Sequence, residues 1–114
     1  GTSAYNLAYL YRYGEGVEKD IEKALEYYEQ GVALGYEDCA NSLGYIYLYG
    51  DGVEQDYAKA IEYYELAVEW GYGVSAYSLG YMYFHGLGVE ADIQKAQDLY
   101  IMCLECGYDY EWYE

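Results

Sequence analysis

Small and apolar residues recur at Ala40, Leu43, Gly44 and Tyr47, the i, i+3, i+4, i+7 spacing that gathers side chains on one face of an α-helix. A second stretch repeats the signature at Tyr57, Ala60, Ile61, Tyr64, Ala67 and Val68, while Glu62, Glu65 and Glu69 fall largely elsewhere. Between the two lies Gly50-Asp51-Gly52-Val53, followed by Asp56. Glycine tolerates the positive φ that other residues avoid, and an aspartate before a helix can accept from its unpaired N–H groups. Gly71 then stands where a helix C-terminus takes a left-handed residue. The pattern predicts helix, turn, helix.

The same pattern occurs three times. Gly14, Gly50 and Gly86 lie 36 residues apart, and Gly16, Gly52 and Gly88 keep that step. The register extends through Val17, Val53 and Val89, through Asp20, Asp56 and Asp92, and through Lys23-Ala24, Lys59-Ala60 and Lys95-Ala96. It closes on Gly35-Tyr36, Gly71-Tyr72 and Gly107-Tyr108. A fixed period of this size marks a repeat architecture. The chain reads as one repeat domain, 1–114, with units 1–36, 37–72 and 73–108 and a tail 109–114. Gly44 and Gly80 sit inside predicted helices, where glycine costs about 1 kcal/mol relative to alanine. Close helix packing against Ala24, Ala60 and Ala96, and against Gly31, Ala67 and Cys103, is the expected compensation.

Read from Cys39 to Tyr64, and again from Ser75 to Tyr100, the motif is small-x-x-Leu-Gly-x-apolar-Tyr-x-x-Gly-x-Gly-Val-x-x-Asp-x-x-Lys-Ala-x-x-Tyr-Tyr. In the second reading Leu99 takes the first of the paired Tyr slots. This motif resembles the Sel-one-like repeat (SLR), a relative of the tetratricopeptide repeat, over essentially the whole chain. The resemblance implies an all-α, right-handed α-solenoid of three antiparallel helix pairs that serves in protein complexes, signalling or secretion-related assemblies. Ala8 in place of the helical Gly, Gly31 in place of an Ala, and Gln97 and Cys103 in the last helix are its departures.

In such a solenoid the first helices line a concave surface, and each repeat adds one stripe to it. At about 100° per residue, Ala4, Leu7, Ala8, Leu10 and Tyr11 form the core arc of the first helix and leave Tyr5, Tyr9 and Arg12 facing outward. The same slots recur as Asn41, Tyr45 and Leu48, and as Tyr77, Tyr81 and Phe84. These nine residues are the candidate partner-binding set. Tyr11, Tyr47, Tyr83, Tyr28, Tyr64 and Tyr100 belong by spacing to the packing face. For Tyr9, Tyr45 and Tyr81 the core and the groove readings both stand.

Charge narrows the partner. Asp+Glu number 21 against Lys+Arg 5, a formal net charge of −16, and the five basic residues are not clustered. Such a surface repels phosphate and anionic lipid, which argues against nucleic acid and membrane and favours a basic or amphipathic protein or peptide. Only Arg12 and Asn41 are placed to grip a C-terminal carboxylate, so an acidic peptide end is a poor ligand. Lys23, Lys59 and Lys95 are expected to pair with nearby acids.

No enzyme chemistry emerges. The single histidine, His85, shares a slot with Tyr13 and Tyr49, so it reads as an aromatic replacement, and it lies on a different helix from Cys103 and Cys106. Three cysteines cannot all pair internally and lack the spacing of a zinc site, and the acids around Asp51, Glu54 and Asp56 lack the spacing of a calcium loop. No cofactor or metal is expected.

The ends raise a separate question, because the last unit of a solenoid exposes a face that a further unit would cover. Tyr27, Gln30 and Leu34, then Tyr63, Leu66 and Trp70, are expected to face the following unit, with Leu99, Met102 and Cys106 as their third copies. Trp112 and Tyr113 are expected to fold over that end as a short C-terminal cap. Ile101 and Met102 replace polar or mixed pairs and suggest an apolar patch. An interaction scaffold is the leading reading. A fragment of a longer solenoid without a ligand of its own, or a module that self-associates through its ends as a homo-oligomer, are the alternatives. The opening Gly-Thr-Ser without Met looks like a processed start, and no stretch has the length of a membrane span, so a soluble chain of unreadable compartment is expected.

Overall fold

The computed structural model describes residues 2–105, which form six helices and, among those residues, no strand. They are α1 Thr2–Tyr13, α2 Ile21–Ala33, α3 Glu37–Tyr49, α4 Tyr57–Glu69, α5 Gly73–His85 and α6 Ile93–Glu105. The architecture is an all-α helical-repeat solenoid, as the spacing predicts. Each helix pair packs internally, and α2 meets α3 as α4 meets α5.

The turns are built alike in every unit. Asp20, Asp56 and Asp92 each accept the backbone N–H of the residue three positions on, at 3.2, 3.1 and 3.1 Å. Their own N–H groups donate back to the carbonyls of Tyr11, Tyr47 and Tyr83 at 2.8, 2.9 and 2.9 Å, bracing each second helix on its first. The preceding helices α3 and α5 end on Gly50 and Gly86, whose φ of 66° and 67° is the left-handed cap that glycine adopts without steric cost. Lys23, Lys59 and Lys95 do not rest on acids as expected. Their ammonium groups lie over the rings of Tyr11, Tyr47 and Tyr83, at 5.3, 5.1 and 5.1 Å from the centroids. The brace brings each Lys to the tyrosine whose carbonyl it uses, where a cation is attracted to the ring face.

Small residues set the helix spacing. A Cβ on Gly44 would come within 2.7 Å of the Tyr64 ring, and one on Gly80 within 2.9 Å of the Tyr100 ring. Glycine therefore lets a bulky aromatic fill the seam, and Tyr28 and Tyr64 are fully buried there. Burial of such a side chain contributes roughly 1.5–3 kcal/mol. The core has two blocks that each bridge neighbouring repeats. Ala8, Ala24, Tyr28, Cys39, Leu43 and Ile46 form one. Leu48, Ala60, Tyr64, Ala76, Leu79, Met82, Leu99 and Cys103 form the other.

The face that meets the following repeat differs from the sequence expectation. Tyr27 stacks on Tyr11 and Tyr63 on Tyr47, within their own repeats, at 5.8 and 6.1 Å between centroids. Gln30 is exposed and Leu34 is 67% exposed. Ile61 and Val68 pack instead on the block that holds Leu79 and Met82, and Ile21 and Tyr57 abut Gly52 and Gly88 in the next turn. The stripe that reaches the shared blocks is thus the neighbouring one, with Leu25 and Val32 on α2 and Ile61 and Val68 on α4. Leu99 is buried in the second block, whereas Met102 is exposed. Cys106 and the expected cap at 109–114 with Trp112 and Tyr113 lie outside the described residues.

Candidate interaction surface

The first helices touch one another through polar side chains. Arg12, near the end of α1, donates from Nε and Nη2 to Asp51 Oδ2, just past α3, at 3.1 and 3.0 Å. Its guanidinium lies 4.9 Å from the Tyr13 ring centroid and 5.1 Å from that of Tyr45. Farther along, Ser75 Oγ on α5 donates to Asn41 Oδ1 on α3 at 2.7 Å.

Over this layer stand three aromatic pairs, one per repeat. Tyr9, Tyr45 and Tyr81 are exposed, and each meets the residue four positions later. Tyr9 and Tyr13 have centroids 4.7 Å apart, Tyr45 and Tyr49 also 4.7 Å, and Tyr81 and His85 4.2 Å. Positions four apart are neighbours on a helix, so each pair presents one continuous aromatic surface. Tyr13, Tyr49 and His85 were absent from the sequence candidates, although the same i+4 spacing and the same period would have found them.

The other candidates divide. Tyr5 is half-buried edge-on against Tyr28 at 6.0 Å, and Tyr77 is half-buried against Tyr100 at 5.6 Å. Asn41, in their slot, is half-buried and bonded to Ser75. Arg12 and Leu48, expected to face outward, are buried, at 6% and 4% exposure, while Phe84 in the equivalent slot is 48% exposed. That slot points at the next first helix, which α3 supplies for Arg12 and α5 for Leu48, and among the described residues α5 is the last first helix.

Arg12, Tyr5, Tyr13, Asn41, Ser42 and Tyr45 line a concave pocket of about 210 Å³ at the junction of the first two repeats. Tyr28 Oη is buried beside it and has no hydrogen-bond partner among the described residues. Burial raises the Tyr28 phenol above its ordinary value, against the opposing influence of Arg12 and Ser42. Burial works against the Arg12 charge too, but the Tyr28 hydroxyl and Asp51 outweigh it and hold the guanidinium above its ordinary value. Burial likewise raises Tyr13, with Arg12 opposing.

Two other surfaces stand out. Gln97, Tyr100, Ile101 and Leu104 line an open apolar hollow of about 370 Å³ on α6. Of the equivalent positions in the first repeat, Leu25, Tyr28 and Val32 pack in the block shared with the following repeat, whereas Glu29 is exposed. Glu62, Glu65, Leu66 and Glu69 border an acidic hollow of about 320 Å³ on α4. Cys39 and Cys103 are buried. Burial, with Asp38 adding to it, pushes the Cys39 thiol up to about 12, so it is not a thiolate at neutral pH. Among the described residues no helix is long and apolar enough to cross a membrane.

The Sel1 repeat family model matches residues 1–36, 38–72 and 73–108. The chain is similar to the crystal structure of a Sel1 repeat protein from Oxalobacter formigenes, with 32% identity and a TM-score of 0.86 over 93% of this chain and 43% of that one. It is also similar to a protective antigen present in uropathogenic Escherichia coli strains that displays an SLR fold, with 33% identity and a TM-score of 0.87. That match covers 93% of this chain and 23% of the antigen. The chain thus spans less than half the length of either structure. No curated protein matches it.

Proposed function

The chain belongs to the Sel1 repeat family, whose repeats are in general protein–protein interaction modules of a non-catalytic, scaffold kind, and from that premise we propose that it is an adaptor holding a protein segment across its first-helix layer. The exposed aromatic pairs carry this reading. Three of them, in register on rigid helices, offer large amphipathic contact area at low rotamer cost, the composition of a recognition surface. The direct first-helix contacts, Arg12 to Asp51 and Asn41 to Ser75, are what the inner, concave layer of a curved stack requires. Tyr5, Tyr9, Tyr45, Tyr77, Tyr81 and Phe84 supply its contact area, and Arg12, Asn41 and Leu48 support it from beneath. With a net charge of −16, the ligand is a basic or amphipathic peptide or protein.

The test is capture of partners by the purified chain, followed by Tyr45→Ala and Tyr81→Ala. Each substitution is expected to weaken binding by roughly tenfold or more, as truncation of an interface aromatic does. Helical circular dichroism and the melting temperature should stay close to those of the parent chain. Unfolding by both substitutions would place these tyrosines in the core and end the adaptor reading.

The apolar end supports a second reading, assembly through the solenoid ends. Ile93 and Leu104 are about half exposed on the stripe that elsewhere docks the next repeat, and Ile101, about half exposed in the slot of Glu29 and Glu65, widens the apolar surface. Light scattering then finds a mass that rises with concentration and that Ile101→Glu returns to the monomer. A monomer at all concentrations removes this reading.

A further inference from the structure

We infer that the pocket between the first two repeats is a subsite for the carbonyl oxygen of a neutral amide. For its ligand, a docked peptide, the inference rests on the adaptor reading above; for its chemistry it rests on the pocket alone.

Arg12 is the only arginine of the chain and is buried. A guanidinium carries five N–H donors. Asp51 Oδ2 occupies one on Nε and one on Nη2, which leaves the other N–H groups beside the pocket they line. Tyr13 and Tyr45 both lie within cation–π range of the guanidinium and hold its plane. Asn41 has its oxygen engaged by Ser75, so its amide N–H groups are what it has left to offer. The Ser42 hydroxyl lines the pocket as well, while Tyr28 Oη is buried behind it, outside the lining. Arginine, amide and hydroxyl donors therefore converge on a small hollow, and an acceptor satisfies them together.

Charge selects the acceptor. Asp51 already balances Arg12, and the chain around them is strongly acidic, so a carboxylate would be desolvated without a free cation to meet it. A carbonyl oxygen collects the same donors and brings no charge. At about 210 Å³ the hollow lies below the roughly 300–1,000 Å³ of small-molecule sites. One peptide group or one Asn or Gln carboxamide fits, with the rings of Tyr5, Tyr13 and Tyr45 beside its plane.

The sole arginine makes the test direct, because its side-chain Nε–Hε signal is unambiguous in a ¹⁵N-labelled sample. The full chain is titrated with N-methylacetamide, which mimics a backbone peptide group, with acetamide, which mimics a side-chain carboxamide, and with sodium acetate at matched ionic strength. The Arg12 signal should move saturably with at least one amide, in the millimolar range, and not with acetate. Whichever amide saturates first identifies the source. Ser42→Ala removes one lining hydroxyl, so the amide response should weaken by roughly three- to tenfold, the value of one hydrogen bond. Should that variant unfold, Asn41→Leu, which removes the lining amide donors at similar volume, serves in its place. A larger response to acetate, a linear non-saturating drift with both amides, or unchanged amide binding in a folded variant overturns the proposal. If amides bind while no peptide is captured, the adaptor reading alone fails; if peptides bind while amides do not, the subsite alone fails.

Discussion

At single positions, the solenoid matches volumes across each repeat junction. Gly31 faces Cys39, and a Cβ added at Gly31 would overlap the Cys39 sulfur and come within 2.9 Å of its Cβ. In the next junction the equivalent positions hold Ala67 and Ser75, both fully buried, so a larger residue on one side accompanies a smaller one on the other. Close-packed interiors enforce such compensation. Gly31→Ala is expected to destabilise the chain by about 1–3 kcal/mol through overpacking. Adding Cys39→Ser reproduces the second junction's pairing and should recover much of that loss. Urea denaturation of the two single variants and the double variant measures the coupling, and strictly additive effects would contradict a shared contact.

Among the elements, the second helices owe their starts to one carboxylate each. Asp56 accepts the Lys59 N–H, and its own backbone N–H braces Tyr47. Asp56→Ala removes the first bond and keeps the second. The expected loss is about 1 kcal/mol, read as a lower urea midpoint at unchanged m-value. A change in m-value would instead mean that α4 frays in the folded state. The same caps show how much of the fold is local: Asp56, Gly50 and the apolar spacing between them lie within a few residues of what they stabilise, so the helix boundaries are readable along the chain.

Across the whole molecule, buried hydroxyls and a thiol couple folding to alkaline pH. Burial raises Tyr28, Tyr64 and Tyr100 above the ordinary 10.0, and raises Cys39 from 9.0 to about 12. The folded chain holds these protons more tightly than the unfolded chain does. Stability is therefore intact below about pH 9 and falls as pH climbs past 10 through the folded values. The last phenolates to appear in ultraviolet absorbance should do so together with the loss of helical circular dichroism. Complete phenolate titration with the helices intact would refute this linkage.

Residue identity and period alone determine the six helices, their caps, the repeat step and the small residues in each seam, because these follow from contacts within one turn or one hairpin. Spacing placed Tyr9, Tyr45 and Tyr81 in one stripe but left core and groove both open for them, and the packing exposes them. Tertiary packing decided the rest. The burial of Arg12 and Leu48, the partner of each lysine and the stripe that meets the following repeat depend on how one helix pair is rotated against the next. The pocket that joins Arg12 to Asn41 and Ser42 depends on that rotation as well. A rotation of one residue, about 100°, exchanges a buried stripe for an exposed one without altering the period, so no pattern read along a single helix can specify it.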